Sequence, residues 1–265
     1  MKASICIETI FTEYPFIERL QYVKDAGFEY AEFWSWDDKD LSAIKSECER
    51  LNIKIASFSG DKDYSLIDST HNEKYLRYLK RSMDAANFLG CENLVIHSNA
   101  LGEGGAVICD YKGSDKAELF ANMQKVLREA GELAKTSGVT LVLEALNTNI
   151  DHAGNFLNNT AESIKAAASA QNPKIKILYD IYHMQLMEGN IINTLSDNFG
   201  QIGYIHAADV PGRNEPGTGE INYGNILKML DALGYKGVVG FELFPKHESP
   251  EAIKAIQKLM QGTRQ

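Results

Sequence analysis

The sequence predicts an α/β fold, a single (β/α)8 barrel of parallel strands running through residues 1–265. Three observations predict it. Eight short apolar runs recur along the whole chain, segments with helical spacing separate them, and several of those segments stop at a glycine just before the next run. Such alternation requires a parallel sheet, and eight units in a chain of 265 residues favour closure over an open, doubly wound sheet.

In order, the runs are SICIE (4–8), YAEFW (30–34), IKIASFS (53–59), NLVIHS (93–98), VTLVLEA (139–145), IKILYD (175–180), IGYIHAAD (202–209) and VVGFEL (238–243). Several are apolar at consecutive positions, the pattern of strands covered on both faces. Helical spacing marks FIERLQYVKDAG (16–27), DLSAIKSECERL (40–51), EKYLRYLKRSMDAANFLG (73–90), ELFANMQKVLREAGELAKTSG (118–138) and YGNILKMLDALG (223–234). Gly27, Gly90, Gly138 and Gly234 stand where a helix stop favours left-handed backbone. No G-x-G-x-x-G follows the first run, which removes the main support for a dinucleotide-binding sheet. Composition shows no break or linker, so one TIM barrel domain spanning 1–265 is expected. The longest irregular stretch, 98–115, follows the fourth run and is expected to lie over the mouth of the barrel.

With 27 Lys and Arg against 36 Asp and Glu, the net charge is -9, and the long-range field repels polyanions. Nucleic acid is therefore not an expected partner. The opening MKASICIETIFTEYPF meets Glu8 and Glu13 before any sustained apolar run, so neither a signal-peptide core nor a membrane span is expected there and a cytoplasmic location is. Cys6, Cys48, Cys91 and Cys109 are far apart and form no C-x-x-C pair, which speaks against a disulfide framework or a zinc knuckle.

Barrel enzymes carry their chemistry where strands end and the following loops begin. Here LVLEALN delivers Glu144 and Asn147, IKILYD delivers Asp180 with His183 three residues on, IGYIHAAD delivers His206 and Asp209, and VVGFEL delivers Glu242. Taken singly, each acid could pair a lysine or cap a helix, and His206 could be a satisfied core histidine. Taken together, four metal-capable groups on four successive strands favour a shared cation, which would compensate buried carboxylates. Three carboxylates and one imidazole are a hard, oxygen-rich set suited to Mg2+ or Mn2+, with Co2+ and Zn2+ also compatible.

The spacing Glu144, Asp180-x-x-His183, His206 with Arg213 seven residues later, and Glu242 resembles the xylose isomerase-like barrel superfamily, in its ketose 3-epimerase and hydroxypyruvate isomerase branches. FTEYPFIERL (11–20), EALNT (144–148), DIYHMQ (180–185), PGRNEPGTGEINY (211–223) and GFE (240–242) look most like the hydroxypyruvate isomerase branch. The resemblance implies that Glu144 and Glu242 are both metal ligands and the acid/base pair, that Asp180 and His206 complete the coordination, and that His183 and Arg213 hold substrate oxygens. It also implies a small keto acid or ketose as substrate and allows a homo-oligomer. Two departures stand out. His206 occupies a position where the hydroxypyruvate branch often has Gln and the epimerases have His, and TNIDHAGNF (148–156) lacks the arginine expected after EALNT.

Other residues carry two readings each. His97 ends the fourth run and either lines the pocket or bonds to backbone. Phe33, Trp34 and Trp36 either wall the substrate or pack. Asn147 either donates to a substrate hydroxyl or caps its loop, Arg213 either grips a carboxylate or pairs with Glu215 or Glu220, and His152 sits in a loop that can fold over the pocket. The functions left open are a hydroxypyruvate-type isomerase, a ketose 3-epimerase, a polyol or inosose dehydratase, and a sugar-binding barrel without chemistry; a barrel endonuclease lacks its basic groove.

Overall fold

The computed structural model describes residues 1–262. Eight parallel strands close in sequence order, β1 to β8, with β1 hydrogen-bonded to both β2 and β8. They are β1 Lys2–Cys6, β2 Tyr30–Glu32, β3 Lys54–Ser59, β4 Asn93–His97, β5 Thr140–Glu144, β6 Ile175–Asp180, β7 Ile202–His206 and β8 Val238–Phe241. All eight expected strands are present, and the fold is a TIM barrel. Several are shorter than their apolar runs: β2 stops at Glu32 and β8 one residue before Glu242, so Trp34 and Glu242 enter the site from the loops just beyond.

The surrounding helices are α1 Arg19–Asp25, α2 Leu41–Leu51, α3 Asn72–Leu89, α4 Lys116–Ser137, α5 Thr160–Ser169, α6 Ile181–Met187, α7 Ile191–Asp197, α8 Tyr223–Ala232 and α9 Ser249–Gly262. Gly27, Gly90, Gly138 and Gly234 all take positive φ, the backbone their position past a helix end calls for. Between β6 and β7 the chain forms two short helices, α6 and α7, parted at Gly189 and Asn190, both left-handed. None of these helices is long and apolar enough to cross a membrane.

The pleat explains where the core ends and the site begins. Leu94, Ile96, Leu141, Leu143 and Ile177 pack outward against the helices, while Val95, Val142, Leu178 and Tyr204 form a separate apolar cluster with Ala56 inside the barrel. Side chains repeat on one strand face every second residue. Two positions past each inward residue come His97, Glu144, Asp180 and His206, one layer up towards the C-terminal mouth. Register brings them side by side: His97 pairs with Glu144, and Asp180 with His206.

Candidate active site

Each strand delivers its polar group with one face engaged and another free. Asp180 Oδ1 caps α6, accepting from the Tyr182 and His183 backbone N–H groups at 2.7 and 3.1 Å, while its Oδ2 has no hydrogen-bond partner. Glu144 Oε2 meets His97 Nε2 at 3.2 Å, while its Oε1 has none. His206 Nδ1, equally unpartnered, faces these free atoms: Glu144 Oε1 at 3.7 Å, Asp180 Oδ2 at 4.0 Å and Glu242 Oε2 at 3.7 Å. Buried polar atoms are almost always bonded, so a cluster of orphans pointing at one another marks a place for a ligand. The donor set fits a divalent cation: Asp180, His206 and Glu242 form a triplet that could hold one, and Glu144 Oε1 faces the same His206 Nδ1 at 3.7 Å.

Glu144, Asp180 and His183 form a second possible triplet. Hydrogen bonding argues against it. Asn147 Oδ1 accepts from the backbone N–H groups of Ile150 and Asp151, so the group it turns to His183 Nδ1, at 2.7 Å, is the amide NH2. His183 Nδ1 therefore accepts, and the ring proton sits on Nε2, the nitrogen 3.6 Å from Asp180 Oδ2. An N–H cannot bind a metal; it can donate to a substrate oxygen. Burial, then the positive Arg213, holds this imidazole neutral, well below the usual histidine range. Of the two readings of Asn147, the loop cap is the one its contacts serve: it is fully buried and its amide also bonds Asp151 at 2.7 Å.

Arg213 pairs with Glu242 rather than with Glu215 or Glu220. Glu215 instead accepts from the Lys246 backbone N–H at 2.9 Å. The Arg213 guanidinium lies over the rings of Tyr182 and Phe244, at 5.4 and 6.0 Å, and its Nε has no partner. Asp209 lies outside the cluster of Glu144, Asp180, His206 and Glu242. Its carboxylate organises the loop that carries Arg213, accepting from the backbone N–H groups of Val210, Gly217, Gly219 and Ile221. A Cβ at Gly219 would lie 2.0 Å from the Val210 carbonyl oxygen, so only glycine permits this loop to close.

Among the three aromatics after β2, Phe33 and Trp34 line the cavity and Trp36 does not, the Trp34 indole N–H donating to Glu242 Oε1. Phe33 stacks on Phe58 in the core, and Trp36 is buried with its N–H on Ser82 Oγ at 2.8 Å. His97 is bonded on both sides, its Nδ1 3.0 Å from Asp61 Oδ1 and its Nε2 on Glu144. Tyr75 donates to the same Asp61 carboxylate at 3.1 Å.

The charges show what the cluster lacks. Burial, then the neighbouring Glu144, pushes the Asp180 carboxyl up to about 7. Burial opposes ionisation of Glu144 as well, but the facing His206 imidazole and the bond from His97 outweigh it and hold it well below the carboxylate range. For His206, the carboxylates of Glu32 and Glu144 outweigh burial and raise the imidazole well above its usual range. By itself the cluster thus draws a proton onto His206; a cation at the same centre satisfies the same carboxylates.

Residues 20–262 match the xylose isomerase-like TIM barrel family. The chain belongs to that family. Its relatives include the 2-oxo-tetronate isomerase of Haemophilus influenzae, 27% identical over 258 residues covering 94% of this chain and 95% of that one. Another is the hydroxypyruvate isomerase of Escherichia coli K12, 28% identical over 254 residues covering 93% and 94%. Among solved structures, the AP endonuclease, family 2, of Brucella melitensis superposes with a TM-score of 0.87 at 25% identity, covering 97% of this chain and 99% of that one.

In this xylose isomerase-like barrel the cluster opens into a cavity of about 420 Å3, within the range of small-ligand sites. Leu101 to Gly105 line it, so this part of the stretch 98–115 borders the cavity. His152 lies 5% exposed in the cavity wall and donates from Nδ1 to the Gly105 carbonyl at 2.6 Å, joining the two mouth loops. Two buried carboxylates have no counterpart among the expected site residues. Asp61 supports His97, and Glu32 lies 3.3 Å from His206 Nε2. The signal for Glu32 was present in YAEFW, a lone acid in an apolar run.

Proposed function

We propose that the chain is a metal-dependent isomerase of a short, hydroxylated 2-keto acid, converting hydroxypyruvate to 2-hydroxy-3-oxopropanoate. The observation that carries this reading is the placement of Glu144 and Glu242 on either side of His206 Nδ1, each 3.7 Å from it, with Arg213 bound to Glu242. A divalent ion, Mg2+ or Mn2+ by the donor set, would be held by Glu144, Asp180, His206 and Glu242 and would supply Lewis-acid polarisation of the substrate carbonyl. The two glutamates act as the proton-moving pair. One takes the proton from the hydroxyl-bearing carbon, giving an enediolate, and that same carboxyl, or the other once the proton has passed to it, returns it to the former carbonyl carbon while the hydroxyl proton passes between the two oxygens. Arg213 offers its free Nε–H to the substrate carboxylate, and His183 donates its Nε2–H to a substrate oxygen.

Glu242 is held below its usual range because Arg213 and His206 outweigh burial, and Glu144 lies lower still. Both are weak bases, so transfer depends on a substrate carbon made acidic and a site kept dry. The relatives named for hydroxypyruvate and 2-oxo-tetronate both act on 2-keto acids by those names, which supports the same class here. A net charge of -9 opposes the polyanionic substrate of an endonuclease.

Epimerisation of a ketose at C3 is the second reading. His206 favours it, and a cavity of about 420 Å3 has room for a longer chain. In that case the proton returns to the opposite face of the carbon it left. The test is a panel of hydroxypyruvate, fructose, tagatose and inosose in D2O, with metal-stripped and Mn2+-loaded protein, followed by NMR. Metal-dependent exchange in the keto acid with aldehyde product supports the isomerase; exchange at C3 of a ketose alone replaces it with the epimerase. No exchange in any substrate leaves a sugar-binding barrel.

A further inference from the structure

Glu32 is a buried carboxylate that the proposed chemistry leaves unused. It ends β2, 3% exposed, and enters the barrel beneath His206. Oε2 accepts from the Tyr204 hydroxyl at 2.5 Å and faces the Ser57 hydroxyl at 3.4 Å. Oε1 has no hydrogen-bond partner and lies 3.3 Å from His206 Nε2. Space for it is made on β8: a Cβ at Gly240 would stand 2.4 and 2.5 Å from the two carboxylate oxygens. Burying a carboxylate is costly unless something answers it, and an apolar side chain would fill this layer at no such cost.

The imidazole of His206 has two edges with different company. Nδ1 faces the carboxylates of Glu144, Asp180 and Glu242; Nε2 faces Glu32. A neutral imidazole carries one proton, and a nitrogen that carries it cannot bind a metal. Left to the three carboxylates, that proton would stay on Nδ1, the nitrogen needed as ligand. A carboxylate on the opposite edge moves the preference to Nε2, in the manner by which metal-binding histidines are generally oriented through their second nitrogen.

We infer that Glu32 is a positioning residue for the metal: it holds the His206 proton on Nε2, so that the Nδ1 lone pair is presented among Glu144, Asp180 and Glu242. The inference rests on the proposed metal site. It commits to a ligand atom, Nδ1, and to a residue outside the coordination sphere that sets affinity.

The test measures Mn2+ binding to metal-stripped full-length protein by calorimetry, without substrate or turnover. Glu32→Gln keeps the volume beside Gly240 but removes the charge, and its amide can turn its NH2 to Nε2 and drive the proton back to Nδ1. Affinity is expected to fall roughly 10- to 100-fold. In a His206→Gln background the same substitution is expected to change nothing further, because its effect passes through the imidazole. Gly240→Ala, which displaces the carboxylate without removing it, is expected to weaken Mn2+ in the same direction and serves if Glu32→Gln fails to fold. Wild-type affinity in folded Glu32→Gln, or an equal loss with and without His206, overturns the role of Glu32. A wild-type protein that takes up no Mn2+, Mg2+, Co2+ or Zn2+ overturns the metal site itself and this inference with it.

Discussion

Replacing Arg213 by lysine separates recognition of a carboxylate from preservation of charge. Arg213 is largely buried, its side chain 12% exposed, with one guanidinium N–H spent on Glu242 and Nε–H unspent. Lysine keeps a positive charge beside Glu242 but has no second donor in a fixed fork. The loss is then one hydrogen bond between charged partners, about 1.5–3 kcal/mol, or roughly 10- to 150-fold in kcat/KM for hydroxypyruvate. Position 213 has φ 54°, which lysine tolerates no worse than arginine, so the loop has no reason to rearrange. Dihydroxyacetone, which carries a hydroxymethyl group where hydroxypyruvate has its carboxylate, supplies the control as a competitive inhibitor. Its Ki is expected to change by less than about threefold, since it has no charged partner for the missing donor. Equal losses for both compounds, or none for hydroxypyruvate, would show that Arg213 does not read a carboxylate.

Glu144→Gln and Glu242→Gln should each lower turnover by about 10^2- to 10^4-fold with little change in thermal midpoint, and near-full activity in either removes it from the proton-moving pair. Mn2+ affinity should fall as pH drops below neutral, because the Asp180 carboxyl at about 7 then takes up a proton that the ion must displace, in addition to the one the raised His206 imidazole already holds. Calorimetry in buffers of different ionisation enthalpy reads the released protons directly, and a flat profile refutes the displacement. Gly219→Ala should cost about 1–3 kcal/mol in denaturant unfolding and weaken substrate binding, since its Cβ would strike the Val210 carbonyl and shift the loop bearing Arg213. An alanine variant indistinguishable from wild type would show that the loop is not built as described.

The barrel was legible because its signals are local. Strands covered on both faces read as unbroken apolar runs, and the glycines after α1, α3, α4 and α8 mark real changes of backbone hand. Glu144, Asp180, His206 and Glu242 were legible for a related reason: each sits at or near the end of an apolar run, and strand ends converge at one mouth. Glu32 was not, because an acid inside YAEFW faces inward or outward according to register, and the ladder between β2 and β3 shifts at Ala31 and Glu32. Asp61 follows β3 in a turn whose direction depends on Tyr75 and His97, residues far along the chain. Helix α5, TAESIKAAAS, was missed because alanine gives its buried face little contrast, and the break between α6 and α7 needed the left-handed backbone at Gly189 and Asn190.

The Asn147 amide has a consequence for how the site responds to what enters it. One end of that side chain folds the turn at Ile150 and Asp151; the other fixes which nitrogen of His183 bears hydrogen. Loop shape and proton position therefore share one side chain. A ligand oxygen that accepts from His183 Nε2 is compatible with the tautomer that Asn147 fixes. A ligand that presents a donor there asks His183 for the opposite tautomer and works against the turn. Discrimination between donor and acceptor at that point thus rests on the turn at Ile150 and Asp151, which orients the Asn147 amide, as well as on the imidazole itself.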